Sequence, residues 1–336
     1  MPLENRIELL KQLEEKRSSK IITYITGDRP PFTMQITNDA IVIFRKHLDS
    51  IGKQDKIGLF LYSRGGDMMT PLRLVRLIRE YCNFFEVLIP YRAHSAATLI
   101  SLGADKIVLG KLGELSPIDP TTDHPFNPDD PTDPKKTRKV RISVEDLTSY
   151  FMLAREKAEV REEQMGSIFN ELTNKIHPLA LGNIYRGYRM IRILAEKLLL
   201  FHLDKNKDKH IIDNVIKKLT EELCIHGYLI SRNEADKDLG LKVEEPDEDL
   251  ENLIWRLYKT YEEAMELTKP FDPVNFLGDE KTKSFSYYGA FVESTSITDG
   301  FLFNGEIRAT TTPTGQIQAS VNMISQPKWV EVPRQN

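Results

Sequence analysis

The chain has 336 residues, 40% of them hydrophobic and 29% charged, with 46 basic against 50 acidic side chains and a net charge of −4. That apolar content supports a sizeable core and excludes global disorder, while the slightly acidic balance argues against a dedicated nucleic-acid binder, whose footprint is basic. Two cysteines, Cys82 and Cys224, are too few for a disulfide framework or a four-cysteine zinc site, and they suit a reducing compartment. In chain order, Ile7, Leu9, Leu10 and Leu13 fall at helical spacing within residues 5–16, and KIITYI at 20–25 is β-branched and aromatic like a strand. Residues 38–51 read as a helix with Ile41, Phe44 and Leu48 on one face. IGLFLY at 57–62 is a continuous apolar run, as in a parallel strand covered on both faces. A Gly-Gly turn follows, then a helix at 70–81, a strand at 85–89, a helix at 96–102 and a strand at 106–109. Strands alternating with helices at this spacing indicate an α/β domain of βαβ crossovers.

Residues 117–139 carry six prolines and five aspartates before a basic cluster, which denies the backbone donors of a helix or central strand and predicts a long loop, a candidate lid. Helices are expected at 144–176, 180–202, 211–224 and 250–267. From Ser284 the composition turns to Ser, Thr, aromatics and Gly, with turn signals at Asp299-Gly300, Asn304-Gly305 and Thr314-Gly315. That reads as an antiparallel β appendage of three or four strands. The charged N-terminal segment lacks the apolar core of a secretory signal, and no apolar run approaches the roughly 20 residues that span a bilayer. The expectation is a soluble, cytoplasmic protein without membrane contact.

Two segments concentrate chemical potential. Tyr62-Ser63-Arg64-Gly65-Gly66-Asp67 follows a buried strand and precedes a helix, where paired glycines let the backbone turn sharply and present N–H groups to a ligand. Tyr91-Arg92-Ala93-His94-Ser95-Ala96-Ala97-Thr98 sets a serine hydroxyl at a helix start, where free N–H groups and the dipole favour developing negative charge. Were the two turns neighbours at the carboxyl edge of the sheet, they would form an oxyanion hole with a nucleophile at its mouth. The plain alternatives are a simple turn for the glycines and an N-cap for Ser95.

Taken together, SRGGD, then AHSAATLISLGADKIVLG about thirty residues later, then LGELSPIDP resemble the Clp peptidase and signal peptide peptidase A superfamily, which shares the crotonase fold. The match is nearest to the serine dehydrogenase proteinase family. It continues in EEKRSSKIITYI and in LTEELCIHGYLISRNEADKDLGLKV, and so covers residues 1–121 and 211–245. The resemblance implies an α/β, Clp peptidase/crotonase-like spiral of βαβ units with a helical extension. On that reading residues 1–245 form the peptidase domain, with the loop at 117–139 and a helical insertion at 144–202. A helix at 246–270 and the β-rich appendage at 271–336 complete the chain. It also implies Ser95 as nucleophile and the backbone N–H groups of Gly66 and Ala96 as oxyanion donors. Matching SPIDP and the block at 227–235 places Asp119 near the family's histidine position and His226 beside its aspartate, implying a triad with exchanged positions: Ser95 attacks, His226 is the base, Asp119 orients it. Arg64 stands where the family has proline, Ala96-Ala97 replaces glycines, and Gly227 replaces an aspartate.

A lysine base remains open, as in signal peptide peptidase A, with Lys135, Lys136 and Lys139 available, although a solvated charge run explains them more simply. His94 adjoins Ser95 and should point away from it, His124 lies in the loop, and His177 most simply ends a helix before Pro178. No HExxH, CxxC pair, acidic calcium loop, GxGxxG or GxxxxGK[ST] occurs, so no metal or cofactor is expected. The basic-aromatic stripe Tyr185-Arg186-Gly187-Tyr188-Arg189 with Arg192 reads as a solvated or subunit-facing surface rather than a nucleic-acid site.

The leading function is a serine peptidase cleaving extended or unfolded polypeptide through an acyl-enzyme. Competing readings are coenzyme A thioester chemistry of the crotonase type, in which Ser95 has no role, and a non-catalytic oligomeric scaffold or peptide-binding module. The resemblance further implies a homo-oligomer, trimer or hexamer; no docking motif for an unfoldase partner is visible.

Overall fold

Short β-branched and aromatic runs separated by amphipathic segments fold as expected into alternating strands and helices. A computed structural model describes residues 3–118, 121–122, 124–135, 137–223, 227–311, 317–320 and 327–334. The elements run α1 (Leu3–Arg17), β1 (Lys20–Thr26), α2 (Ala40–Ile51), β2 (Gln54–Tyr62), α3 (Thr70–Arg79), β3 (Cys82–Ile89), β4 (Arg92–Ala93), α4 (Ala96–Leu102), β5 (Lys106–Leu109) and β6 (Glu114–Leu115). Next come β7 (Thr121–Thr122), β8 (Ile142–Ser143), α5 (Val144–Met152), α6 (Met165–Lys175), α7 (Pro178–Leu199) and α8 (Lys209–Lys217). The chain ends with α9 (Arg232–Lys237), β9 (Val243–Glu244), α10 (Glu248–Ala264), α11 (Pro273–Leu277), β10 (Thr282–Glu293), β11 (Thr298–Thr311), β12 (Ile317–Ser320) and β13 (Lys328–Glu331). The chain folds as two compact units. Met1–Leu115 with Ser231–Asn336 form one unit, and Ser116–Ile230 the other.

The larger unit is built on one mixed sheet in the order β12-β11-β10-β1-β2-β3-β5-β9, with β13 also paired to β11. β1, β2, β3, β5 and β9 are parallel, as βαβ crossovers require, and β10 joins β1 antiparallel. The tail read as an appendage therefore continues the central sheet. Alternate residues of β1 serve opposite faces. Ile21 and Ile25 pack with Leu9, Leu13, Leu257 and Tyr261 of α1 and α10, while Tyr24 meets Phe44 of α2 edge to face at 5.2 Å. Two buried acids bind distant segments: Arg6 donates to Glu293 at 2.6 Å, and Arg17 donates to Glu86 and, at 2.5 Å, to Glu244. Burial works to raise the Glu244 carboxyl, but the hydrogen bonds from Arg17 and Lys106 outweigh it and hold it at about 2.

Two turn signals were misleading. Asp299-Gly300 and Asn304-Gly305 lie inside β11, and the hairpin turns instead at Ser294–Ile297, where Ser294 N donates to Ile297 O. These glycines make room for cross-strand rings: a Cβ on Gly300 would lie 2.6 Å from Tyr288, and one on Gly305 2.6 Å from Phe285. Thr314-Gly315 lies outside the described residues.

In the smaller unit the helix expected over 144–176 is interrupted between α5 and α6. Residues 155–164 hold only Ala158 and Val160 as apolar side chains, too few to pin a helix to a core, and Glu159 takes a left-handed backbone with φ 51°. The loop before it is ordered by its own carboxylates, with Asp133 accepting the N–H groups of Thr137 and Arg138. No described helix is long and apolar enough to cross a membrane.

Candidate active site

β2 ends at Tyr62, and the next residues are held on two sides. On one side a short parallel bridge joins them to β4: Ser63 N donates to Arg92 O at 2.9 Å and His94 N donates to Ser63 O at 3.0 Å. The buried Ser63 hydroxyl accepts from Thr26 Oγ1 at 2.7 Å and from Gly65 N at 3.1 Å. On the other side Gly66 bridges Ile36, with Ile36 N donating to Gly65 O and Asp67 N donating to Ile36 O, each at 2.8 Å. The central residue of such a bridge turns its own N–H away from the partner strand. The Gly66 N–H accordingly faces away from Ile36 and has no acceptor among the described residues.

Both glycines are obligatory here. Gly66 has φ +154° and a Cβ on it would lie 2.2 Å from Ile36 O. Gly65 has φ +106°, and its Cβ would lie 2.9 Å from Ser95 Cβ, 3.0 Å from His94 O and 3.4 Å from Ala96 N. The two turns read from sequence as separate signals therefore touch. Ser95 itself takes φ 51° and ψ −110°, a strained conformation for a residue with a Cβ, costing about 1–3 kcal/mol. An N-cap serine has an extended backbone and accepts from the first helical turn; Ser95 does neither. Its half-buried position at the start of α4 fits a nucleophile held on a tight strand-to-helix turn better than a cap. Ala96 opens α4, so its N–H has no acceptor within the helix.

A polar rim surrounds these turns that sequence reasoning missed. Arg92 donates to Asp28 at 2.9 Å, Tyr62 donates to the other oxygen of Asp28 at 3.1 Å, and Arg64 lies 3.8 Å from it. Burial pushes the Tyr62 phenol far above its ordinary range, so it stays a donor. His94 Nε2 lies 2.9 Å from Glu114 Oε1, and Arg92 lies 3.6 Å from the same oxygen. The signal for Arg92 and Glu114 was the charge pattern around the β4 and β6 segments, legible only once their pairing is known.

His226, Asp119 and Lys136 lie outside the described residues. Lys139 pairs with Asp129 at 2.6 Å and Lys135 is exposed, which matches the solvated charge run. His124 Nδ1 accepts from Phe126 N at 3.2 Å. His177 caps the start of α7, accepting from Leu179 N at 3.1 Å, rather than closing the helix before it.

Residues 2–128 match the family of ClpP-like SDH-type serine proteinases. That segment contains both turns and Ser95, and the match bears out the serine dehydrogenase proteinase resemblance there. An uncharacterized protein of Methanocaldococcus jannaschii is 28% identical over 111 residues, covering 31% of this chain and 38% of that protein. The chain thus spans well under half the length of this curated relative. No solved structure matches. The ClpP-like SDH-type serine proteinase match supports a peptidase-type function.

Proposed function

We propose that this chain is a serine peptidase acting on extended or unfolded polypeptide through an acyl-enzyme at Ser95. The observation that carries the reading is the contact of Gly65 with Ser95 and with Ala96 N, which sets a strained serine against the diglycine turn; the Gly66 and Ala96 N–H groups as oxyanion donors are carried over from the family resemblance. Ser95 Oγ attacks the scissile carbonyl carbon while its proton passes to the His226 imidazole, which Asp119 orients; both roles are carried over from the family resemblance. The carbonyl oxygen becomes an oxyanion accepting from Gly66 and Ala96, and one such donor is worth roughly 3 kcal/mol. Collapse expels the amine, which takes the proton from His226, and water then hydrolyses the Ser95 ester. Assembly as a homo-oligomer, trimer or hexamer, belongs to the same reading and is measured by light scattering.

Labelling by a fluorophosphonate probe and cleavage of denatured casein test the proposal. Ser95→Ala should remove labelling and lower cleavage by about 10³-fold or more. Unchanged labelling removes Ser95 from the mechanism. If His226→Ala labels and cleaves like the parent, His226 is not the base, and the lysine alternative is the next to test.

A further inference from the structure

The helices of Ser116–Ile230 leave an apolar groove of about 600 Å³. Val144, Leu147 and Phe151 of α5 line it together with Phe169 and Leu172 of α6, and the rings of Phe151 and Phe169 stack 6.3 Å apart. Thr148 and Thr173 also line it, but their hydroxyls donate to carbonyls of their own helices, so neither makes the lining polar. On α7 the lining residues Pro178, Gly182 and Tyr185 recur four and three residues apart, one stripe along the helix. Gly182 offers bare backbone, since a Cβ there would meet nothing within 4 Å.

Two properties define the occupant. The first is openness: Phe169 is 50% exposed and Tyr185 61%, and Met152, Leu153 and Leu179 beside the lining residues are exposed as well. A small ligand is ordinarily buried over most of its surface, whereas an open apolar stripe among helices suits another polypeptide surface. The second is charge. The α7 stripe runs on into Arg189, four residues beyond Tyr185, with Arg186 beside it. Arg186 donates to Asn183, and neither arginine forms an ion pair among the described residues. The rest of the basic-aromatic motif is engaged elsewhere, because Tyr188 and Arg192 both donate to Glu221. Glu145 and Asp146 of α5 fall off the lining positions, and Asp146 accepts the Ser143 N–H.

We propose that this groove docks a partner polypeptide as an amphipathic helix, its apolar stripe lying against α5, α6 and α7 and its acidic flank meeting Arg186 and Arg189. A fourth helix would complete the bundle that these three leave open. This stands on the groove alone and does not require the peptidase reading.

The probe is a fluorescein-labelled synthetic peptide of about 20 residues, leucine at i, i+3, i+4 and i+7 and glutamate and alanine elsewhere, titrated into the full chain by anisotropy. Saturable binding is expected, weakened about tenfold when R186E and R189E are combined, and weakened similarly when the peptide's glutamates become lysines. Gly182→Trp, which fills open space on an exposed helix, should abolish it. The Ser95→Ala chain should bind as the parent does, so failure here is separate from failure of the peptidase reading. Absence of saturable binding, indifference to peptide charge or indifference to R186E/R189E overturns the proposal. So does concentration-dependent self-association that Gly182→Trp removes, which would make a second copy the occupant.

Discussion

In the larger unit, β1 and β2 are buried along most of their length, and acids with no exposed surface, Glu86 and Glu293, receive arginines from the N-terminal helix. In Ser116–Ile230 the loop instead leaves Phe126 exposed and the helices leave Met152, Leu153, Phe169, Leu179 and Tyr185 exposed; among the described residues of the larger unit the large exposed apolar side chains are Val42, Leu112 and Val274. The difference teaches where each unit's specificity resides. A sheet buried on both faces has little tolerance, and its turns can be held in strained conformations such as that of Ser95 because the surroundings over-determine them. A helical unit with an open apolar stripe tolerates surface change and keeps area for contact with something else.

Four measurements can break or sharpen that contrast. The largest effect is expected at Arg6, whose removal leaves Glu293 buried with only Tyr261 and Thr298 as side-chain donors among the described residues. Arg6→Met should lower stability by about 3–5 kcal/mol in urea unfolding, and a change under about 1 kcal/mol would show that the larger unit is not locked there. Next comes Gly66→Ala, which forces a Cβ against Ile36 O and displaces a proposed oxyanion donor. Casein cleavage should fall by about 10²–10³-fold.

His47 links pH to the same lock. It is fully buried between Ser294 at 3.0 Å and Asp299 at 3.0 Å, and the neutral ring donating from Nε2 to Asp299 and accepting the Ser294 hydroxyl satisfies both. Burial lowers its pKa from 6.5 to about 4 in spite of the attraction of Asp299. Below pH 6.5 the unfolded chain takes up a proton that the folded chain refuses until about pH 4. Stability is therefore retained above pH 6.5 and falls as pH drops toward 4, by about 3 kcal/mol in all. Thermal melts at pH 7 and 4.5 should show that decline, and His47→Gln should flatten it. Smallest is Leu179→Gln on the open face of the other unit, where Leu179 is 61% exposed; its melting should shift by no more than about 0.5 kcal/mol equivalent.

Much of the architecture was legible. Apolar runs such as IGLFLY and amphipathic spacing such as Ile41, Phe44 and Leu48 are local signals, and the helix at 96–102 and the strand at 106–109 appear with the expected bounds. What misled was non-local. Asp299-Gly300 and Asn304-Gly305 have hairpin chemistry, yet the glycines serve Tyr288 and Phe285 across the strand, a demand invisible until the register is known. The short helix Arg232–Lys237 and strand Val243–Glu244 were missed because so few residues carry too little periodicity to register. At the candidate site the serine and both glycines could be named from sequence, but the pairing of Arg92 with Asp28 and Glu114 could not, since charged residues scattered over 28–114 gain meaning only by convergence.

The amino-acid order alone determined which segments are strands or helices and which turn holds a serine before a helix, because side-chain periodicity and glycine's freedom act within a few residues. That the diglycine corner abuts Ser95, that the last strands extend the first sheet, and that one acid such as Glu293 meets an arginine from the N-terminal helix were decided by the tertiary structure. Those contacts depend on burial and on pairing between residues far apart in the chain, where no local pattern constrains the partner.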